Sequence, residues 1–368
     1  MKRIVPFISL GLSIAMLLGC VDGGKRYVEP KAKEEAVVVK EEKAQAYVGR
    51  YVEQLRTMGK KGNYIYSPES MNCALSMFRY VTTKEENRKV IEKIVGDTDY
   101  LAYANNEKSF RLINRIWKNQ NKEMKIADEI KDYIYEMDMS DSGAATKKKN
   151  AYVSEQTNQF ITSTPSILSK DTIYDIMNVT YFKDQWKDGD LRKDTKLHVF
   201  TTGTGKKTKT KYLHYDSAKT YYENDTAKAV EVPYRDGFSL LLIRPKKTLD
   251  AVSFENLLEQ SKVADQVQVK FPEFETKSKF DLTDYFKNLG ITKESADTDL
   301  KILQVAKIKV DKKGTEAAAV SEIVCGVTSI PTQEPKIVKI SMNKPFYYAI
   351  LDKKNQDVAF VGQVTKIK

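Results

Sequence analysis

The sequence predicts an α+β domain with several β-sheets, and three observations carry that prediction. Apolar residues recur at helical spacing through the first third of the main body. From residue 172 onward, short β-branched and aromatic runs recur between turn residues. No repeat and no Pro- or Gly-rich linker divides this body. The chain has 368 residues, 41% hydrophobic and 30% charged, enough for one large domain with a sizeable core. Its 17 glycines and 10 prolines exclude collagen-like and low-complexity classes.

The N-terminus reads as a targeting segment. Lys2 and Arg3 form a positive start and residues 4–18 an apolar stretch too short to span a membrane. The run Leu17-Leu18-Gly19-Cys20 resembles a bacterial lipobox, so residues 1–19 are expected to be a signal peptide and Cys20 the acylated residue. Acyl chains would then attach the protein to a membrane. Residues 20–43 are polar and read as a tether, and residues 44–368 as the domain. An exported bacterial lipoprotein is expected, at the outer membrane and on either of its faces, the cell surface included.

A first helix follows from Tyr47, Val48, Tyr51, Val52, Leu55 and Met58, closed by Gly59. A second begins at Ser67-Pro68, a cap followed by proline in the first turn. A third begins at the capping box Thr83-Lys84-Glu85-Glu86 and stops at Gly96. A strand is expected over residues 110–117. Later strands are expected over residues 173–182, 229–234, 238–244, 267–274, 302–310, 336–342, 346–351 and 358–364. Helical pieces are expected over 150–161, 254–260 and 281–288.

Several chemistries are disfavoured by the residues present. His198 and His214 are the only histidines, and neither has metal-ligand spacing with a cysteine. Ser67, Ser70, Ser163 and Ser166 lack a base to activate them and read as caps and turns. Gly203-Thr204-Gly205-Lys206 lacks the first glycine and the terminal Ser or Thr of a phosphate loop, so a turn is expected. No enzyme, metal or cofactor is expected. The net charge of +11 is scattered, as in Lys147-Lys148-Lys149 and Lys206-Lys207, and reads as solvated surface. With export, it argues against a nucleic-acid partner.

One segment is unusual. After the strand at 302–310, Gly314-Thr315-Glu316-Ala317-Ala318-Ala319-Val320-Ser321-Glu322 has no helical stripe. Read as a strand it alternates. One face holds Thr315, Ala317, Ala319, Ser321, Ile323 and Cys325, with no charge. The other holds both glutamates. A plain loop or a short helix accounts for the pattern equally well.

This segment resembles the hinge of an inhibitory serpin. Asn343-Lys344-Pro345-Phe346 and Phe360-Val361-Gly362-Gln363-Val364 are similar to that family's C-terminal signature. Residues 63–75, with Ser67-Pro68-Glu69-Ser70, resemble its second helix. Asn114-Arg115-Ile116-Trp117, residues 150–157, Asn178 through Trp186, Val232-Pro233-Tyr234 and Phe271-Pro272-Glu273-Phe274 fit in order. The ordered set covers residue 44 to the end.

The resemblance implies three β-sheets, eight or nine helices and an exposed reactive-centre loop over about residues 312–335. It implies a monomeric suicide substrate: a serine protease attacks the loop, and the cleaved loop inserts into the large sheet, trapping the acyl-enzyme. The hinge would be Gly314, Thr315, Glu316, Ala317, Ala318 and Ala319. The region where the sheet opens would include Ser67, Ser70, Asn178, Trp186 and Gln304. Family spacing from Gly314 places the scissile bond between Thr328 and Ser329, with bonds after Cys325 or Val327 as alternatives. Val327-Thr328 suits an elastase-like or subtilisin-like protease, and Cys325 reads as an incidental small residue or, if exposed, as a thiol that can be oxidised or can trap a cysteine protease. Two departures bear on inhibition: Lys312 stands where a glutamate is usual, and Gln304 where many members have histidine. The competing reading is a non-inhibitory serpin-fold module for binding or scaffolding at the cell surface.

Overall fold

The computed structural model describes residues 44–96, 98–102, 109–259, 261–295, 300–315 and 335–367. They lie within one unit, Glu42–Lys368. The expected signal peptide, Cys20 and tether fall outside the described residues.

Helix α1 (Ala44–Thr57) buries Val48, Val52 and Leu55, spaced four and three residues apart, and Gly59 leaves it at φ +66°. Strand β1 (Tyr64–Tyr66) leads into α2 (Pro68–Val81), where Ser67 Oγ accepts from the Ser70 amide. Helix α3 (Glu85–Val95) ends at Gly96 as expected, but the capping box does not form. Thr83 Oγ1 instead donates to Glu294 Oε2 at 2.7 Å, and Thr82 bonds the same carboxylate. An ionised acceptor from another element outcompetes a local cap.

Strand β2 (Phe110–Asn119) is followed by a 3-10 turn (Asp128–Tyr133), β3 (Ile134–Met137) and α4 (Ser142–Gln156). The expected helix at 150–161 begins eight residues earlier, because Asp141 caps the Ala144 amide. Next come β4 (Tyr174–Phe182), β5 (Asp184–Gln185), β6 (Arg192–Lys193), β7 (His198–Thr201), β8 (Lys207–Thr210) and β9 (Tyr212–Glu223). Residues 203–205 are the β7–β8 turn. Strands β10 (Ala227–Pro233), β11 (Phe238–Pro245), β12 (Lys262–Pro272) and β13 (Phe274–Asp281) lead to α5 (Thr283–Asn288). The expected helical piece at 254–260 is turns over residues 255–259. The chain closes with β14 (Leu303–Asp311), β15 (Gly314–Thr315), β16 (Ile337–Ser341), β17 (Phe346–Asp352) and β18 (Asp357–Val364).

The described strands fall into four hydrogen-bonded sets, not three. A nine-stranded sheet runs β1-β18-β17-β11-β10-β9-β12-β16, with β6 on β9. A second set is β13-β14-β15-β5, a third β3-β2-β4, and β7–β8 form a hairpin. Only Lys183 separates β4 from β5, so the second and third sets are halves of one large sheet, split between β4 and β14. Among the described residues there are five α-helices and one 3-10 helix, fewer than the eight or nine expected. Residues 255–259 account for part of the difference.

The main core lies between α1, α2 and the nine-stranded sheet. A smaller core on the other face of the large sheet joins Ile113, Met177, Val179 and Val305 to Val153 of α4 and to Ile161.

Candidate functional site

The split in the large sheet is bridged in its middle by a polar cluster. The Ser67 amide donates to Gln304 Oε1 at 3.0 Å, and Gln304 Nε2 donates to the Ser67 carbonyl at 2.8 Å. This two-way bond ties the start of α2 to β14. Ser67 Oγ donates to the Ala359 carbonyl of β18 at 2.8 Å. Ser70 Oγ donates to the Asn178 carbonyl at 3.4 Å, and Asn178 Nδ2 to Asn114 Oδ1 of β2 at 2.5 Å. Thr180 Oγ1 completes the cluster on Asn178 Oδ1 at 3.3 Å. Gln304, Ser67 and Thr180 are buried, so losing a bond that strands its partner, as the Ser67 amide would be without Gln304, costs about 1–3 kcal/mol. The structure brings Ser67, Ser70, Asn178 and Gln304 together. Gln304 donates and accepts toward the same backbone residue, which its amide allows.

Trp186 is not part of this cluster. Asn178 and Trp186 lie eight residues apart on the β4–β5 line, about 25 Å of strand. Trp186 belongs to the hinge end. Its ring stacks on Tyr234 at 4.5 Å and 12°, and its Nε1 donates to the Asp311 carbonyl at 3.0 Å.

The first two residues of the expected hinge lie inside the sheet at this end. Thr315 lies opposite Val310 of β14 on one side and Asp184 of β5 on the other. Gly314 lies opposite Asp311 and Gln185. Thr315 is 1% exposed, and its Oγ1 sits 2.6 Å from Tyr234 Oη. Gly314 has φ +145°, and a Cβ there would stand 2.1 Å from the Asp184 carbonyl oxygen. Only glycine fits, for both reasons. Burial pushes the Asp184 carboxyl up to about 6, despite its bonds from the Asp236 and Gln185 amides.

Lys312 stays outside the slot. Its Nζ reaches Asp190 Oδ2 at 3.5 Å, and its carbonyl accepts from the Leu191 amide at 2.7 Å. The lysine at the usual glutamate position is therefore accommodated at the surface.

Below Thr315 the two halves share no ladder among the described residues. A cavity of about 860 Å³ opens there, lined by Ser70, Asn178 and Val179 on one side and Gln304 and Val305 on the other. The inward positions of β14 carry Gln304, Ala306, Ile308 and Val310, and those of β4 carry Asn178, Thr180 and Phe182. The slot is thus uncharged on its inner face.

Other candidates resolve as follows. Glu316, Ala317, Ala318, Ala319, Cys325, Thr328 and Ser329 lie outside the described residues. Cys73 is a free, buried thiol that burial pushes well above its usual range. Lys149, expected in a solvated run, is fully buried and bonded to Asp175 and Ser166. Its Nζ lies 2.6 Å from Ser166 Oγ and 3.0 Å from Asp175 Oδ2, which ties α4 to the start of β4. His198 and His214 both turn to Asp194, at 3.3 and 2.7 Å.

Sequence reasoning missed Thr180, Tyr234 and Asp184 as parts of these two clusters. Strand alternation would have found Thr180, two residues beyond Asn178. Nothing local marks Tyr234, which reaches the hinge only through the fold.

Comparison with known proteins agrees with this geometry. The family model "Serpin (serine protease inhibitor)" matches residues 43–367. An uncharacterized serpin-like protein of Thermococcus kodakarensis is 26% identical, over 84% of this chain and 82% of its own. Neuroserpin of Gallus gallus is 25% identical, over 84% and 88%. Among solved structures, the native thermophilic serpin tengpin superposes with a TM-score of 0.72 at 21% identity, covering 88% of this chain and 93% of its own. Thyroxine-binding globulin in complex with thyroxine gives 0.68 at 19%, over 88% and 99%. A split sheet entered at one end by Gly314-Thr315, and a family model spanning all of the described residues, lead to one conclusion: the chain belongs to the serpin family, whose description is that of serine protease inhibitors.

Proposed function

We propose that this serpin is a suicide-substrate inhibitor of elastase-like or subtilisin-like serine proteases. The observation that carries the reading is Gly314–Thr315 held between β14 and β5 above an uncharged slot. A cleaved loop inserting in that register would bring Ala317 opposite Ile308 and Phe182, and Ala319 opposite Ala306 and Thr180. Ser321 would then meet Gln304 and Asn178, at the polar cluster. The small, uncharged face of the hinge matches the inner face of the slot, where an unpaired charge would cost several kcal/mol. Glu316 falls on the outer face, opposite Lys309 and Lys183.

In the reaction, the protease serine Oγ attacks the Thr328 carbonyl. The Thr328–Ser329 bond breaks, and the Ser329 amine leaves with a proton relayed by the protease histidine. Thr328 remains as an ester on the serine. Insertion of the freed strand removes the ester from its water before hydrolysis. Acylation of Cys20 would hold the inhibitor at the outer membrane of a bacterium.

The test mixes the chain beginning after Cys20 with elastase-like, subtilisin-like and trypsin-like proteases. A complex that survives denaturing gels, with a released peptide beginning at Ser329, is expected with the first two. Complete cleavage with full residual protease activity would replace this reading with the non-inhibitory binding module.

A further inference from the structure

The β7–β8 hairpin carries a row of cations that the hinge and slot do not use. Residues 195–215 contain five lysines and no aspartate or glutamate. In the hairpin, Lys209 pairs with Val199 and Lys207 with Thr201, while Phe200 and Thr208 turn to the other face. Phe200 is buried, so Lys207 and Lys209 point to water, and Lys211 continues the alternation. Successive lysines on this face stand about 6.7 Å apart. Among the described residues, Lys196, Lys206, Lys207, Lys209 and Lys211 form no ion pair. The neighbouring carboxylates are occupied: Asp194 by His214 and Lys270, Glu273 by Lys193, and Asp190 by Lys312. Two apolar side chains interrupt the row, Leu197 at 57% and Val199 at 44% exposure.

The row ends at the hinge. Lys211 and Thr195 line a cavity of about 440 Å³ together with Lys312 and Lys313, the two residues before Gly314. A molecule engaging the loop is therefore within reach of the hairpin. We propose that the β7–β8 hairpin is a docking face for an acidic surface of the target protease. The proposal rests on the inhibitor reading above. A protein partner is favoured over a linear polyanion because Leu197 and Val199 gain free energy only when covered by apolar surface. Unpaired lysines around them raise the encounter rate with an acidic partner, by 10-fold or more at low salt, and salt screens the gain.

The test uses two inactivated proteases, of acidic and of basic net charge, both with small aliphatic specificity. Association rates are measured against ionic strength for the parent chain and for Lys207→Gln/Lys209→Gln/Lys211→Gln. The triple variant is expected to dock on the acidic protease about tenfold more slowly at low salt, with a flatter salt dependence, and on the basic one unchanged. Should its thermal midpoint fall, Lys209→Gln alone is read instead. Equal loss with both proteases, or none with either, overturns the proposal. So does loss confined to retention on a sulfated polysaccharide, which assigns the face to a polyanion. Docking of an inactivated protease needs no loop insertion. If active protease fails to form a stable complex while charge-dependent docking persists, the inhibitor reading fails and the docking face stands.

Discussion

Strands β17 and β18 bury every residue and pair along their length with each other, and with β11 and β1 on either side. Strands β4 and β14 are nine residues each, yet among the described residues they share no ladder: the two-residue β15 joins β14 to β5 at one end, a polar cluster links them through Ser67 in the middle, and Val305 packs with Met177 and Val179 on the other face. The first pairing is closed by main-chain bonds and dry packing. The second is held by side-chain bonds that can break one at a time. A sheet closed by packing resists any added strand. A sheet closed by a few hydrogen bonds can admit one.

Substitutions can break or sharpen this contrast. The largest effect is expected at Gly362 in the closed sheet. A Cβ there would lie 2.3 Å from the Tyr64 carbonyl oxygen and 2.5 Å from the Tyr348 ring. Gly362→Val should cost about 4 kcal/mol or more, read as loss of near-ultraviolet dichroism and of soluble yield. In the split sheet, Gln304→Leu leaves the Ser67 amide unpaired, while the Ser67 carbonyl keeps the Met71 amide at 3.2 Å. A loss of about 2 kcal/mol in denaturant unfolding is expected, with faster amide exchange in β14.

Glu69 gives a smaller effect that depends on pH. It is fully buried in the first turn of α2, and neither carboxyl oxygen has a hydrogen-bond partner. Burial, and then Asp357 and Asp352, push it well above the carboxylate range. A raised value stabilises the fold below the unfolded value of about 4.3, and that contribution is lost as pH rises toward the folded value. Glu69→Leu should therefore raise stability by about 1–3 kcal/mol near neutral pH and by much less at pH 4. A pH-independent gain would show that Glu69 does not titrate as argued.

The smallest global effect is expected at the hinge. Gly314→Ala should expel Gly314 and Thr315 from between β14 and β5 while changing global stability by less than about 1 kcal/mol. Proteolysis next to Thr315 should accelerate. If it destabilises as much as Gly362→Val, the two sheets are equally committed and the contrast is wrong. Asp184, pushed up to about 6, stabilises the same end below about 3.8, and that contribution is lost as pH rises through about 6. Proteolysis at the hinge should therefore quicken between about pH 4 and 6, and Asp184→Asn should flatten that dependence.

The contrast also explains what could be read in advance. Strands β11, β17 and β18 of the closed sheet announce themselves, because continuous runs such as Phe346-Tyr347-Tyr348-Ala349-Ile350 have nowhere to go but a doubly covered sheet. Strands β6 to β8 were missed because they are short and polar, and hydrogen bonding to neighbours makes them strands; the twelve-residue β9 was missed as well, because its middle, Asp216-Ser217-Ala218-Lys219-Thr220, is mostly polar. The Thr83 cap was misread because Glu294 is 211 residues away. Lys149 was misplaced because its partners, Ser166 and Asp175, lie beyond the helix that carries it. Gln304, Ser67, Ser70 and Asn178 were grouped through resemblance, and Trp186 was grouped with them although it packs on Tyr234 instead.

By itself the sequence determined the class of the fold, the strands built on continuous apolar runs and the helix start at Ser67-Pro68. These depend on periodicity and on local backbone chemistry, which neighbouring residues alone decide. Only the tertiary structure decided that the large sheet is split, that Thr315 is already buried between β14 and β5, and that the lysine row of the hairpin ends beside the hinge. Each of these depends on which distant strands meet, and the free energy of that meeting is shared among contacts that no single segment contains.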